Sequence, residues 1–235
     1  MCFLKLRGIL FFVSRETNKH ETDAVSDMDF NPGILKVRVL SRERRQKMSK
    51  IQKINKQTEN RFLNLYDLEA KDRMGGDIHY YVSSRAKTPN DLKINTRNEK
   101  PDGVIIYSLY GEKKDRVVLV RQYRYPLDDY VYELPSGLVD QGEDYRQAGI
   151  REMKEETGLD LLTVNDILPL SYSAIGFANE TNLCIVGVAD GTFSKSSSTV
   201  EEIKAGWYTK DEVKKLLKTE LFASRTQSYC YLWSK

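Results

Sequence analysis

Three glutamates, Glu152, Glu155 and Glu156, lie three and four positions apart in the stretch 137–159, GLVDQGEDYRQAGIREMKEETGL. On a helix that spacing puts all three carboxylates on one face. Like charges so placed repel one another and destabilise a bare helix. A cation among them removes the penalty, and carboxylate oxygens suit a hard ion such as Mg²⁺, with Mn²⁺ as a substitute. Arg151 stands four residues before Glu155, the spacing of a helical ion pair. The helix carries its own boundary signals. Asp144 is the expected N-cap, with Gln147 completing a capping box, and Gly158 stands where a left-handed C-terminal residue is wanted. Ile150, Met153 and Thr157 fall about a third of a turn from the acids and are expected to face the core.

The elements around this helix are read from hydrophobic pattern. FLNLYDL and DIHYYVSSR are two short strands separated by the turn-rich KDRMGG, which predicts a hairpin. Residues 86–101, with two prolines and a polar composition, read as a connector. GVIIYSLY and RVVLVRQY are apolar and β-branched and are joined by GEKKD, which predicts a second hairpin. YVYELPSG is another strand leading into the acidic helix. Downstream, DILPLSYSAIG and TNLCIVGVAD read as strands flanking the loop GFANE, and GTFSKSSST reads as a Ser-rich surface loop. EEIKAGWYT is a last strand, and KDEVKKLLKTELF begins a C-terminal helix. Strands on both sides of a central helix, with another helix at the end, predict an α/β fold: a mixed sheet sandwiched by helices.

Composition narrows the function classes. The 235 residues suffice for one sizeable domain plus a small appendage, and 40% are hydrophobic, as in soluble globular proteins. Lys+Arg 37 against Asp+Glu 34 is too balanced to argue for nucleic-acid binding. Cys2, Cys184 and Cys230 are widely spaced, which argues against a disulfide scaffold or zinc ribbon and fits a reducing cytoplasm. No apolar run approaches the ~20 residues of a membrane helix. The opening MCFLKLRGILFFVSRE imitates a signal peptide, but its apolar core is too short. Residues 1–47 end in the basic KVRVLSRERRQK and are expected to be an extension, with Met48 as a candidate native start.

Residues 137–159 resemble the Nudix box at every defining position. Gly137, five residues and Glu143 are followed by seven residues, then REMKEE (151–156) and TGL (157–159). The flanks RQYRYP (121–126), YELPSG (132–137), GFANE (176–180) and EEIKAGWYT (201–209) are similar to the ADP-ribose and nucleoside-diphosphate-sugar pyrophosphatase branch. The resemblance spans about residues 60–235. Two positions depart from that branch: Asn179 replaces the usual acid before Glu180, and Ile175-Gly176 replaces Pro-Gly.

The resemblance implies a Nudix α/β/α sandwich over 101–235, preceded by a β-hairpin dimerisation region at 48–100. It implies metal held by Glu152, Glu155, Glu156 and the carbonyl of Gly137, with Arg151 orienting the loop and its acids. Glu143 would either orient Arg151 or join the metal shell. Glu180 is the nominated general base, with Glu156 or Glu155 as the fallback. Arg124 is the favoured substrate ligand, and Arg121, three residues earlier on the same strand, faces the opposite way. Glu133 either contacts substrate or partners an arginine. Phe62, Tyr66, Tyr80 and Tyr81 offer flat surfaces for a nucleobase and together support a homodimer. The expected reaction is metal-dependent cleavage of the diphosphate of ADP-ribose or a related nucleoside-diphosphate sugar. The rivals are a hydrolase of dinucleoside polyphosphates and a non-catalytic nucleotide-sugar-binding module.

Overall fold

The computed structural model describes residues 50–198 and 200–235, and the chain from Ser49 to Lys235 is one compact unit. The expectations for the first 47 residues and for Met48 lie outside the described residues. The described residues form two sheets, one three-stranded and one seven-stranded.

The first sheet contains β1 (Ile51–Lys56), β2 (Asn64–Lys71) and β3 (Asp77–Ser84), all antiparallel. The expected hairpin is β2–β3. It gains a third strand because IQKINK alternates too weakly to announce itself but finds a full ladder along β2. The 86–101 connector is not wholly irregular: it holds single helical turns at Pro89–Asp91 and Lys93–Thr96.

The second sheet is built from β4 (Gly103–Tyr110), β5 (Arg116–Arg124), β6 (Asp129–Glu133), β7 (Ser136–Leu138), β8 (Asp160–Tyr172), β9 (Thr181–Asp190) and β10 (Ile203–Thr209). Its main path runs β10-β5-β4-β9-β8, with β4 and β9 parallel, so the sheet is mixed as expected. The second expected hairpin needs correction. β4 and β5 meet at a single registered pair, Leu109 with Val117, and then splay apart. Into the opening come β7, which pairs with Gly103–Ile105, and β6, which pairs with β5. YVYELPSG is therefore two short strands rather than one. Pro135 lies between them, and it has no N–H to offer a ladder.

Helix α1 (Tyr145–Thr157) covers one face of the sheet; α2 (Lys210–Thr219) and α3 (Ser224–Ser234) cover the other. Alternation along the central strands explains both layers. Val104, Ile106, Val118 and Ile185 join a core with Ala148 and Met153 of α1. Ile105, Tyr107, Val117 and Leu119 join a second core with Val213 of α2 and Cys230 of α3. Strands buried on both faces read as continuous apolar runs, which is how GVIIYSLY and RVVLVRQY look in sequence. The second C-terminal helix, α3, was not expected from the sequence.

The boundaries of α1 are close to expectation. Asp144 caps it by accepting from Arg146 N at 2.9 Å, without the reciprocal bond from Gln147, and Gly158 adopts φ 83°. Met153 and Thr157 are buried, but Ile150 is 40% exposed and is a correction. The core-facing stripe runs through Gly149, Met153 and Glu156, and Ile150 lies about 100° from Gly149 around the helix. Ile106 sits at the centre of the α1-side core, fully buried. Ile106→Ala is expected to cost about 2–5 kcal/mol in chemical denaturation; a loss below about 1 kcal/mol would show that the sheet closes around the deletion.

Candidate active site

A cleft of about 550 Å³ opens beside the C-terminal half of α1. Its floor is the segment Ser136–Leu138, held by β4 and by the bond from Ile106 N to Pro135 O at 2.7 Å. Glu152, Glu155 and Glu156 line it together with Gly137, Arg124, Glu133 and Glu180. Three strands, one helix and the loop before β9 thus bring together seven of the eight residues nominated for metal, substrate or general base. Arg121 does not line the cleft; its guanidinium lies 4.3 Å from the centre of the Tyr130 ring. Opposite pointing along β5 separates it from Arg124.

Gly137 is required by its neighbour. A Cβ there would come within 2.3 Å of all three carboxyl atoms of Glu152. Any other residue would displace that carboxylate from the cleft floor.

Arg151 organises the acids. Its Nε and Nη2 each donate to Glu143 at 2.9 Å, and Nη2 also donates to the Leu138 carbonyl at 2.9 Å. Nη1 donates to Glu152 at 2.7 Å and to Glu155 at 3.2 Å. Five bonds match the five N–H donors of a guanidinium. Glu143 therefore engages Arg151, and the Asp140 N–H donates to the same carboxylate at 3.0 Å. These contacts hold the Glu143 carboxyl below its ordinary range, Arg151 being the main cause.

The acidic patch is not the symmetric cluster that helical spacing suggests. Among the described residues no three His, Cys, Asp or Glu side chains group as ligands of one ion. The Arg151 guanidinium draws Glu152 and Glu155 toward itself, while Glu156 turns to accept from Ser136 N at 3.1 Å. Burial pushes the Glu156 carboxyl well above its usual range, against the bond from Ser136. It also raises Glu152, despite Arg151. A buried carboxylate without a full counter-charge is costly by several kcal/mol. The chemistry of the donor set therefore fits a divalent cation: hard oxygen ligands, one strongly desolvated, around a glycine that leaves room beside them.

The remaining nominees have partners. Arg124 makes a bidentate pair with Glu133 at 2.6 and 2.9 Å. Glu180 accepts from Arg85 at 3.0 Å and from Ser173 at 3.1 Å. Of the aromatics, Tyr66 is fully buried and bonds the Ala86 carbonyl at 2.8 Å, so it offers no ring to a ligand. Phe62, Tyr80 and Tyr81 are exposed, and the Tyr80 hydroxyl donates to the Gly176 carbonyl.

Sequence reasoning missed Arg85, Arg225, Glu201 and Ser196–Ser198, all of which line the cleft. Arg85 directly follows β3 and Glu201 opens EEIKAGWYT, but neither position signals a side chain aimed at the box. The Ser-rich loop is not a free surface loop. Ser194 N donates to Thr157 O at 3.0 Å and Ser197 N to Glu155 O at 3.1 Å, satisfying carbonyls at the open end of α1.

A mixed sheet between helices, with an acidic helix over a cleft edged by arginines, defines a Nudix-type domain. The chain belongs to the Nudix family: the NUDIX domain model matches residues 99–229. It is 42% identical over 87 residues to an ADP-ribose pyrophosphatase of Saccharomyces cerevisiae, covering 37% of each chain. It is 38% identical over 111 residues to a putative nudix hydrolase 2 of Caenorhabditis elegans, covering 45% of this chain and 50% of that one. The matches thus span between about a third and a half of these relatives' own length. A crystal structure of an ADP compounds hydrolase superposes with a TM-score of 0.55 at 16% identity, over 77% of this chain and 89% of that one, a likeness of fold.

The raised Glu156 carboxyl has a measurable consequence. Its folded pKa lies above the unfolded value, so the folded chain holds an extra proton between the two. Without divalent metal, this group's contribution to stability is full below the unfolded value and is lost as pH rises through the folded one. Glu156→Gln keeps an acceptor for Ser136 and does not ionise. Urea denaturation in chelator at about pH 5 and about pH 8 should show wild type losing more stability than Glu156→Gln. Equal losses would rule out the linkage.

Proposed function

We propose that this protein is a metal-dependent Nudix pyrophosphatase that hydrolyses the diphosphate of ADP-ribose or a related nucleoside-diphosphate sugar. The observation that carries the reading is the shared cleft, in which the desolvated Glu156 and its two companion acids face Arg124 and Glu180. Its yeast relative is named an ADP-ribose pyrophosphatase, and the matched segment supports a common chemistry.

Glu152, Glu155, Glu156 and the Gly137 carbonyl would hold divalent metal, Mg²⁺ in the first instance and Mn²⁺ as a substitute. When bound, such ions neutralise phosphate charge and acidify the attacking water. The chain's own residues supply the rest. Arg124, pre-oriented by Glu133, presents a planar fork to a phosphoryl oxygen. Glu180 takes a proton from the attacking water once its bond to Arg85 is released. The water oxygen bonds to phosphorus, the bridging P–O bond breaks, and the products are a nucleoside monophosphate and a sugar phosphate. Arg151 keeps the box acids in register and stays clear of the bond being broken.

The exposed Phe62, Tyr80 and Tyr81 of the three-stranded sheet support a homodimer through that sheet, with an aromatic surface for the nucleobase. No described helix is long and apolar enough to cross a membrane. Cys184 and Cys230 are free thiols, which supports work in the reducing cytoplasm.

Purified protein with Mg²⁺ should release monophosphate from at least one of ADP-ribose, ADP-glucose, UDP-glucose and GDP-mannose, in preference to diadenosine tetraphosphate, and chelation should abolish the release. No release from any of the four would overturn the reading. Glu180→Gln should lower kcat by about 10²–10⁴-fold with KM little changed. Turnover within threefold of wild type would remove Glu180 from the base role.

A further inference from the structure

The balance of charge in the cleft singles out one side chain. Six glutamates line it, against the guanidiniums of Arg85, Arg124 and Arg225. Arg85 is held by Glu180 at 3.0 Å, and Arg124 by Glu133 at 2.6 Å. Arg151, beneath the acids, is shared among Glu143, Glu152 and Glu155. Among the described residues no carboxylate lies within 4.0 Å of the Arg225 guanidinium. It is the cleft cation whose charge is not already committed to the protein's own acids.

Nor does the fold explain why an arginine should stand there. Arg225 is the second residue of α3, an eleven-residue helix whose N-cap, Ala223, gives no side-chain bond. A cation in the first turn opposes the helix dipole and costs stability rather than adding to it. Yet the position is firmly anchored. Tyr132 N donates to Leu221 O at 2.8 Å and Ala223 N to Tyr132 O at 3.1 Å. Leu134 N donates to the hydroxyl of Thr226, which is almost fully buried, at 3.2 Å. The strand that leads into Gly137 therefore fixes the start of α3, and with it the root of Arg225. A helix N-terminus and a free guanidinium at one place both favour an anion.

We infer that Arg225 takes non-bridging phosphoryl oxygens of the substrate's diphosphate and is a determinant of specificity for that group. The inference rests on the pyrophosphatase reading above and adds to it a ligand from outside the box and its flanks. Its planar fork suits two phosphoryl oxygens at once, which an ammonium cannot match. A group that reads the ground-state phosphate acts chiefly on KM, since it binds substrate and transition state alike.

The test compares wild type with Arg225→Ala, Arg225→Gln and Arg225→Lys, using ADP in magnesium buffer as the probe in calorimetric titration. Loss of a charge-assisted bond predicts an affinity about 10–100-fold weaker in the Ala and Gln variants, with Lys recovering part of it. With a hydrolysed substrate, KM should rise by a similar factor while kcat stays within about threefold. Thermal melting of the Lys and Gln variants separates a binding loss from a folding defect. ADP affinity within threefold of wild type in folded Arg225→Gln would overturn the inference, as would a wild type that binds no ADP. A wild type that binds ADP through Arg225 but cleaves no diphosphate would support the inference and overturn the hydrolase reading.

Discussion

The site depends on one guanidinium. Arg151 spends its five N–H donors on Glu143, the Leu138 carbonyl, Glu152 and Glu155, and so ties the loop before α1 to two turns of the helix itself. Without it, Glu152 and Glu155 would confront each other across one helical turn, an arrangement that weakens a helix. The third acid, Glu156, receives none of these bonds. It lies on the core-facing stripe with Gly149 and Met153, and among the described residues its one hydrogen bond comes from the Ser136 N–H. The demand for an external cation is thereby concentrated on the most deeply buried carboxylate.

The second constraint is the divided pairing of β4. One end pairs with β5 and the other with β7, while its far edge runs parallel to β9 along its whole length. This lets Ser136–Leu138 enter the sheet beside the acidic helix. The cleft floor is consequently backbone already held by a ladder, and side chains from α1, β5, β6 and the loop before β9 stand around it. The same insertion fixes α3, because the chain at Leu221–Thr226 bonds to Tyr132 and Leu134 just ahead of the floor.

What could be read in the sequence follows from what is local. The helix, its Asp144 cap, its Gly158 terminus and the strands GVIIYSLY, RVVLVRQY and TNLCIVGVAD are set by neighbours a few residues apart and lie where the pattern puts them, whereas YVYELPSG divides in two and the strand expected at 166–176 runs from Asp160 to Tyr172. The box acids, Arg124, Glu133 and Glu180 do share one cleft. What could not be read is long-range. No local signal tells β4 to leave β5 after one pair, or Ile150 that the sheet lies on the other flank. Arg225 enters the cleft only because its neighbour Thr226 accepts from Leu134 N, some ninety residues earlier in the chain. The hub role of Arg151 was half visible: Glu155 is helical spacing, but Glu143 and Leu138 reach it through the loop's path.

The loop after β9 is tied to the end of α1 by the amides of Ser194 and Ser197, and its serines form one wall of the cleft. Such ties are indifferent to side chain, since every residue except proline carries the donor. The wall can thus accumulate substitutions over generations while its path, and the acids beneath it, stay where they are. A lineage built on this plan can drift toward new ligands one wall residue at a time, without passing through a broken ancestor.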